Sequence, residues 1–212
     1  KTLSTSGLSL VDNSGQASNY SIVSASSNIT QRPLNLSGSR AYDSTRTASG
    51  SDLSSTNIVS GETLGLTGSG VLDSPAAGTR TIVNTNTLAI SDGSGIASNY
   101  TLTNGTLTMT IVPRSTTVSG TKTYDGTTNV ASSNLTSFSN LAGSDTLSLS
   151  GTGTISSADV GTGKTVNTSG LTIDNSSGVG SNYTLSAATV NVTERVIALS
   201  GVRAFDGTNN AS

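Results

Sequence analysis

Residues 119–129 read Ser-Gly-Thr-Lys-Thr-Tyr-Asp-Gly-Thr-Thr-Asn, and the chain contains this stretch in three versions. The other two are residues 37–44, Ser-Gly-Ser-Arg-Ala-Tyr-Asp-Ser, and residues 200–209, Ser-Gly-Val-Arg-Ala-Phe-Asp-Gly-Thr-Asn. Their aromatic residues Tyr42, Tyr124 and Phe205 are 82 and 81 residues apart. A repeat of this length is one folding unit copied in tandem, so the period predicts an array of domains.

The period divides the chain into two complete repeats and two partial ones. Residues 1–31 are predicted to be the C-terminal part of a repeat, 32–113 and 114–194 two complete repeats, and 195–212 the N-terminal part of another. The sequence pattern typical of strands continues almost to each junction between repeats. Pro33 and Pro113 lie at these junctions, and no Gly/Ser linker separates one repeat from the next. We therefore expect stiff connections between repeats.

The composition favours sheets over helices. Hydrophobic residues make up 32% of the chain and aromatic residues 3%, so each repeat has only a thin core to bury. Apolar residues alternate with Ser and Thr at Leu8/Leu10, Leu88/Ile90 and Leu171/Ile173, which is typical of half-buried strands. The odd spacing of Leu102 and Leu107 predicts a β-bulge in the last strand of each repeat.

The predicted fold class is all-β, with tandem β-sandwich-like repeats of about 82 residues forming an elongated rod. A β-solenoid of about four coils per repeat is the alternative. Charged residues are only 10% of the chain and the net charge is −2, which argues against nucleic acid as a partner. The sequence has no apolar run of the roughly 18 residues that a membrane span needs, so we expect no membrane insertion in this segment. Because Lys1 stands inside a repeat, any export signal is expected outside this sequence.

The Tyr-Asp-Gly stretch of the repeat resembles YDG and related MBG repeats of large bacterial surface adhesins. These proteins are filamentous-haemagglutinin-like and are exported by two-partner secretion. The resemblance implies an extracellular location, at the bacterial cell surface or secreted, and a role in a stalk or filament. The first copy departs from the pattern, because Ser44 stands where the others have Gly126 and Gly207.

The signature residues are interpreted as structural. They are Tyr42 and Asp43 in the first copy, Tyr124, Asp125 and Gly126 in the second, and Phe205, Asp206 and Gly207 in the third. The aromatic ring is expected to fill the thin core with the neighbouring Lys or Arg along it, while the Asp-Gly pair makes a turn. On this interpretation Tyr124→Ala destabilises its repeat by roughly 3 kcal/mol. A repeated carbohydrate-stacking site is the functional alternative.

The sequence offers no candidate for catalysis or for a cofactor. It has no His and no Cys, so the usual nucleophilic triads and metal clusters are excluded. Asp12, Asp92 and Asp174 lie in Gly-rich loops, but each loop has a single carboxylate, so turn capping is favoured over calcium binding. We predict neither an enzyme nor a metal site.

The function predicted from the sequence is a rigid spacer in the stalk or filament of a large adhesin. A repeated carbohydrate- or matrix-binding module is the alternative. The expected partners are neighbouring repeats of the same chain. Host or matrix glycans or protein, reached through other regions, are further candidates.

Overall fold

The computed structural model describes residues 1–202 and 204 of the 212-residue chain. Phe205, Asp206 and Gly207, the third signature, lie outside these residues. The described chain is all-β, as predicted, and its only helices are 3-10 turns of three residues. None of the described helices is long and apolar enough to span a membrane.

The chain forms two compact units that do not coincide with the sequence repeats. Unit 1 contains Lys1–Arg40, Arg46–Ser74 and Thr79–Thr110. Unit 2 contains Ala41–Thr45, Pro75–Gly78 and the described residues from Ile111 onward. Three short stretches of the first sequence repeat, residues 41–45, 75–78 and 111–113, therefore belong to unit 2, and the first of them holds Tyr42.

Unit 2 has two sheets within its described residues. Its strands are β11 (Arg114–Thr123), β12 (Asn129–Ala131), β13 (Leu135–Ser139), β14 (Leu147–Thr154), β15 (Gly161–Val166), β16 (Leu171–Asn175) and β17 (Tyr183–Thr193). One sheet has the order β13-β11-β17-β15 and the other β12-β14-β16. In the first sheet β11 and β17, the first and last strands, pair in parallel over ten positions.

The core of unit 2 is made from small aliphatic side chains of both sheets, as its composition requires. Every second residue of β17 from Ala188 onward is buried, and Val118 of β11 faces the same cluster. Each fully buried Val, Leu or Ile side chain contributes about 1.5–3 kcal/mol relative to an exposed one. The buried cluster comprises Val118, Val130, Leu135, Ile155, Val166, Ala188, Val190 and Val192.

The first repeat has the same order of elements with more interruptions. Its strands are β1 (Arg32–Pro33), β2 (Leu36–Ala41), β3 (Thr47–Ser49), β4 (Leu53–Ser55), β5 (Leu64–Thr67), β6 (Ser69–Leu72), β7 (Gly78–Asn84), β8 (Ala89–Asp92), β9 (Tyr100–Thr101) and β10 (Thr108–Val112). The six-stranded sheet has the order β3-β6-β7-β10-β2-β4, and β1-β9 and β5-β8 form two-stranded sheets. The β1–β9 pair is parallel, like the pair of first and last strands in unit 2.

The solenoid alternative does not fit these sheets. Stacked coils would pair equivalent strands of successive coils in parallel. Among the described strands, β1 pairs with β9 and β11 with β17 in parallel, but β14 pairs with β16 and β6 with β7 in antiparallel orientation. The predicted sandwich-like repeats are compatible with the observed pairing.

The predicted β-bulge occurs in one copy only. In β17 the register against β11 shifts between Thr116 and Thr117, so Ser186 is the extra residue of the bulged strand. In the first repeat a tight turn separates β9 from β10, with Asn104 at a φ of 62° and a hydrogen bond from Gly105 N–H to Leu102 O. Since Leu107 still pairs in parallel with Leu36, this turn interrupts the strand without reversing it.

The strand expected around Leu8 and Leu10 is absent. Both side chains are about half exposed, whereas the equivalent stretches form β8 and β16. A half-buried strand needs a partner, and β8 pairs with β5 as β16 pairs with β14. No strand among the described residues pairs with residues 8–10, so the alternation there does not produce a strand.

The Ser-Gly of the signature marks a close approach of two backbones. A Cβ on Gly120 would lie 1.7 Å from Asn134 O, and one on Gly38 would lie 1.9 Å from Asp52 O. Gly38 lies in β2 and Gly120 in β11, and a 3-10 turn crosses each strand there, Gly50–Asp52 at Gly38 and Ser132–Asn134 at Gly120. Only glycine fits this crossing.

Candidate functional site

The signature lysine holds the loop that follows it. Lys122 is 4% exposed, and its Nζ donates to Thr127 O at 2.7 Å and to Asn129 O. It also forms an ion pair with Asp125, 2.9 Å from Oδ1. In the first copy Arg40 Nε donates to Thr47 O. In the second copy the ammonium group of Lys122 is therefore held by loop carbonyls and Asp125, and not along the aromatic ring as expected.

The signature aspartates make the predicted turns. Asp43 Oδ1 accepts the Thr45 N–H at 2.9 Å, and Asp125 Oδ1 accepts the Thr127 N–H at the same distance. The next residue has positive φ in both copies, 66° at Ser44 and 77° at Gly126. The two loops, residues 42–45 and 124–127, share one conformation, and we call each a tyrosine loop.

The Asp125 carboxyl should titrate well below its usual range. Its hydrogen bond from Lys122, helped by the Thr127 N–H, lowers its pKa from 3.8 to about 2. Since the folded-state pKa is the lower one, the stabilisation by this carboxylate is complete above about pH 3.8 and is lost as the pH falls towards 2. A carbon NMR titration of the side-chain carboxyl measures this directly.

The control for this titration is a pair of variants. Lys122→Met should raise the midpoint pH of the Asp125 titration more than Thr127→Val does, because Lys122 contributes more to the lowered pKa of Asp125. A wild-type midpoint near 3.8 would show that the ion pair does not form.

The two signature tyrosines lie in different surroundings. Tyr42 is 5% exposed, as predicted, but Tyr124 is 40% exposed. The expectation that the ring of Tyr124 fills a core is therefore wrong. Its loop has the same conformation as that of Tyr42, so the difference comes from what packs against the ring.

In unit 2 the ring of Tyr42 packs against a second tyrosine and a carboxylate. The rings of Tyr42 and Tyr183 are 5.4 Å apart at 76°, an edge-to-face contact. Both hydroxyls donate to Asp145 Oδ2, Tyr42 at 3.1 Å and Tyr183 at 2.6 Å. Ala142 N–H donates to the Tyr183 hydroxyl at 3.0 Å. We call this group of residues, completed by Asn182 and Arg114, the tyrosine site of unit 2.

Asn182 and Arg114 hold the backbone around the tyrosine site. Asn182 is 4% exposed and its Oδ1 accepts the Ala77 N–H at 2.8 Å. Arg114 donates from Nε to Asn140 O at 2.8 Å and from Nη1 to Tyr42 O at 3.3 Å. The buried polar groups of the site are thus paired, which makes its geometry specific.

The site keeps its hydroxyls neutral. Burial, reinforced by the hydrogen bond to Asp145, raises the pKa of Tyr183 to about 12. The same two causes raise the pKa of Tyr42. A neutral phenol that donates to a carboxylate is neither a nucleophile nor a base near neutral pH, so the arrangement favours a structural role.

The sequence model of the YDG domain matches residues 28–109 and 106–191. Together the two matches cover well over half of the chain. The chain belongs to the YDG domain family. No curated protein and no solved structure matches the chain.

The first YDG repeat contains the same tyrosine and carboxylate pair. Tyr100, which is 4% exposed, donates its hydroxyl to Glu62 Oε2, and Val59 N–H donates to the Tyr100 hydroxyl at 3.2 Å. Arg32 Nε donates to Asn57 O at 2.8 Å, as Arg114 does to Asn140. The hydrogen bond to Glu62 is the main cause that raises the pKa of Tyr100.

Sequence reasoning missed Glu62 and Asp145, although a signal was present. Each carboxylate stands 38 residues before the tyrosine of a Ser-Asn-Tyr triplet. Because this spacing is the same in the two YDG repeats, it indicates that the carboxylate and the tyrosine occupy equivalent positions in both. Single acidic residues in polar loops otherwise look like solvated surface.

The loop aspartates cap turns in two of the three copies. Asp12 Oδ1 accepts the Ala17 N–H at 2.5 Å and Asp92 Oδ1 accepts the Ala97 N–H at 2.7 Å. In the last copy this acceptor is Asn175, bonded to Gly180 N–H, and not the predicted Asp174. The described residues contain no group of three or more acidic, His or Cys side chains that could hold a metal ion.

Proposed function

We propose that this chain is a spacer segment in the stalk of a large bacterial adhesin, at the cell surface or secreted. Membership of the YDG family supports the repeat assignment, and the resemblance to filamentous-haemagglutinin-like proteins supports the adhesin context. A spacer needs repeats that each add length. It needs no catalytic group, cofactor or nucleic-acid partner.

The observation that carries the proposal is the parallel pairing of the first and last strands. Arg114 pairs with Tyr183 and Thr123 with Thr193, so β11 and β17 run in the same direction. The chain therefore enters this sheet at one end and leaves it at the other. A repeat with this topology displaces the chain by about the length of a strand, roughly 35 Å for ten or eleven residues.

The scattering of longer arrays tests the spacer. Chains with two, four and six tandem copies of residues 114–194 should show a maximum dimension that rises linearly, by roughly 35–40 Å per repeat. The physical reason is that each repeat carries the chain from one end of its sheet to the other. Small-angle X-ray scattering measures this dimension. Growth closer to the square root of repeat number would show flexible joints and contradict a rigid spacer.

One observation favours the alternative of a carbohydrate- or matrix-binding module. Tyr124 is 40% exposed, and an exposed aromatic ring is a stacking surface for a sugar. However, the equivalent Tyr42 is buried, so the two repeats do not present the same surface. Binding of the 212-residue chain to a glycan array, lost in Tyr124→Ala, would favour this module over the spacer.

A further inference from the structure

The first YDG repeat has an open counterpart of the tyrosine site. A groove of about 510 Å³ in unit 1 is lined by residues that include Arg32, Val59, Glu62, Asn99 and Tyr100. These residues are equivalent to Arg114, Ala142, Asp145, Asn182 and Tyr183 in the tyrosine site of unit 2. In both units a backbone N–H donates to the tyrosine hydroxyl, and this hydroxyl donates to the carboxylate.

The two sites differ in what covers them. In unit 2, where the loop of Tyr42 is present, Ala142 is 3% exposed and Asn182 is 4% exposed. In unit 1 the equivalent Val59 is 46% exposed and Asn99 is exposed. Among the described residues of unit 1, no tyrosine loop packs on Tyr100.

We propose that the groove in unit 1 is a docking site for the tyrosine loop of another copy of the YDG repeat, joined in tandem. The tyrosine ring would pack edge-to-face on Tyr100, and its hydroxyl would donate to Glu62. Arg32 would donate to the carbonyl of the docked tyrosine, as Arg114 does to Tyr42 O. The occupant is identified by unit 2, where a loop of this sequence fills the equivalent site.

The second tyrosine loop of the chain is already built for such docking. Residues 124–127 have the same aspartate turn and positive φ as residues 42–45. Tyr124 N–H donates to Thr193 O at 2.9 Å, as Tyr42 N–H donates to Val112 O at 2.9 Å. Because the loop is held in the docked conformation, it loses little conformational entropy on binding. This also gives a reason for the exposed ring of Tyr124.

The test adds one tyrosine loop in front of unit 1. Residues 114–163 are fused directly before Lys1, which reproduces the natural step from Gly163 to Lys164, because residues 1–10 match residues 164–173. Hydrogen exchange is then followed at the amides of Val59 and Asn99, with the amide of Val190 in the unit 2 core as an internal reference. Docking should slow exchange at Val59 and Asn99 at least tenfold relative to the 212-residue chain.

Matched variants separate docking from a general effect of the added segment. Tyr124→Ala in the added copy should abolish the slowing, and Tyr124→Phe there should retain part of it, since the ring stays and the hydrogen bond to Glu62 is lost. Tyr124→Ala at the original position should leave it unchanged. Equal exchange in the fused chain and in its Ala variant would overturn the proposal.

A second measurement does not depend on folding of the added segment. A peptide with the sequence of residues 119–129, at millimolar concentration, should shift the NMR signals of Val59 and Tyr100 in the 212-residue chain. The peptide with Ala in place of its tyrosine should not. Absence of the peptide effect would likewise contradict docking, and this outcome is distinct from failure of the spacer, which the scattering experiment decides.

Discussion

The Tyr42→Ala substitution is expected to lower the free energy of unfolding of unit 2 by about 3 kcal/mol. The ring is 5% exposed, packs on Tyr183 and donates its hydroxyl to Asp145. Its removal leaves a cavity, removes an aromatic pair worth about 0.5–1.5 kcal/mol and takes one hydrogen bond from a half-buried carboxylate. Thermal and denaturant melts measure the change.

Tyr124→Ala is the matched control, because it makes the same change in a loop of the same conformation. With the ring 40% exposed, the loss should be below about 1 kcal/mol. This replaces the larger effect that the sequence alone predicts for Tyr124. Equal losses in the two variants would show that the loop, and not the tyrosine site, determines the effect.

The Gly120→Ala substitution is also expected to cost unit 2 about 3 kcal/mol. The new Cβ would lie 1.7 Å from Asn134 O, so β11 must move away from the 3-10 turn that precedes β13. Leu135, which pairs with Gly120, is 2% exposed and would move with that backbone. A lower melting temperature with faster hydrogen exchange along β13 is the expected result.

Gly126→Ser is the control for the Gly120→Ala substitution. Gly126 also belongs to the signature, but no atom lies within 4 Å of a Cβ built there. Ser44 already occupies the equivalent position at a φ of 66°. The cost should therefore be about 1–2 kcal/mol, the usual penalty of positive φ. A larger loss than in Gly120→Ala would contradict the role assigned to the backbone crossing.

The repeat and the all-β class could be predicted from the sequence because both depend on local patterns. Alternation of apolar residues located β8 and β16, and the aspartate turns follow from side chains bonding their own backbone. The parallel pairing of β11 with β17 could not be predicted in this way. It joins residues about 70 positions apart, and no residue in either strand specifies its partner's direction.

The candidate site was predictable only in part, for the same reason. Tyr42 and Tyr124 have nearly the same neighbours in sequence, yet one ring is buried and the other exposed. The two rings differ because Tyr183 and Asp145, which are distant from Tyr42 in the chain, pack against the ring of Tyr42. Lys122 was expected along the ring of Tyr124 because residues two apart in a strand lie on one face. Its burial is possible because Asp125 and two carbonyls satisfy the ammonium group.

The parallel pairing of β11 and β17 also determines how unit 2 responds to tension. A force that pulls on the N-terminal end of β11 and the C-terminal end of β17 acts along the two strands, in opposite directions. It loads the hydrogen bonds of all ten paired positions together, in shear. Antiparallel terminal strands would instead separate from one end, one hydrogen bond after another. Rupture in shear requires many bonds to break at once, so this topology gives the repeat a high barrier to forced unfolding.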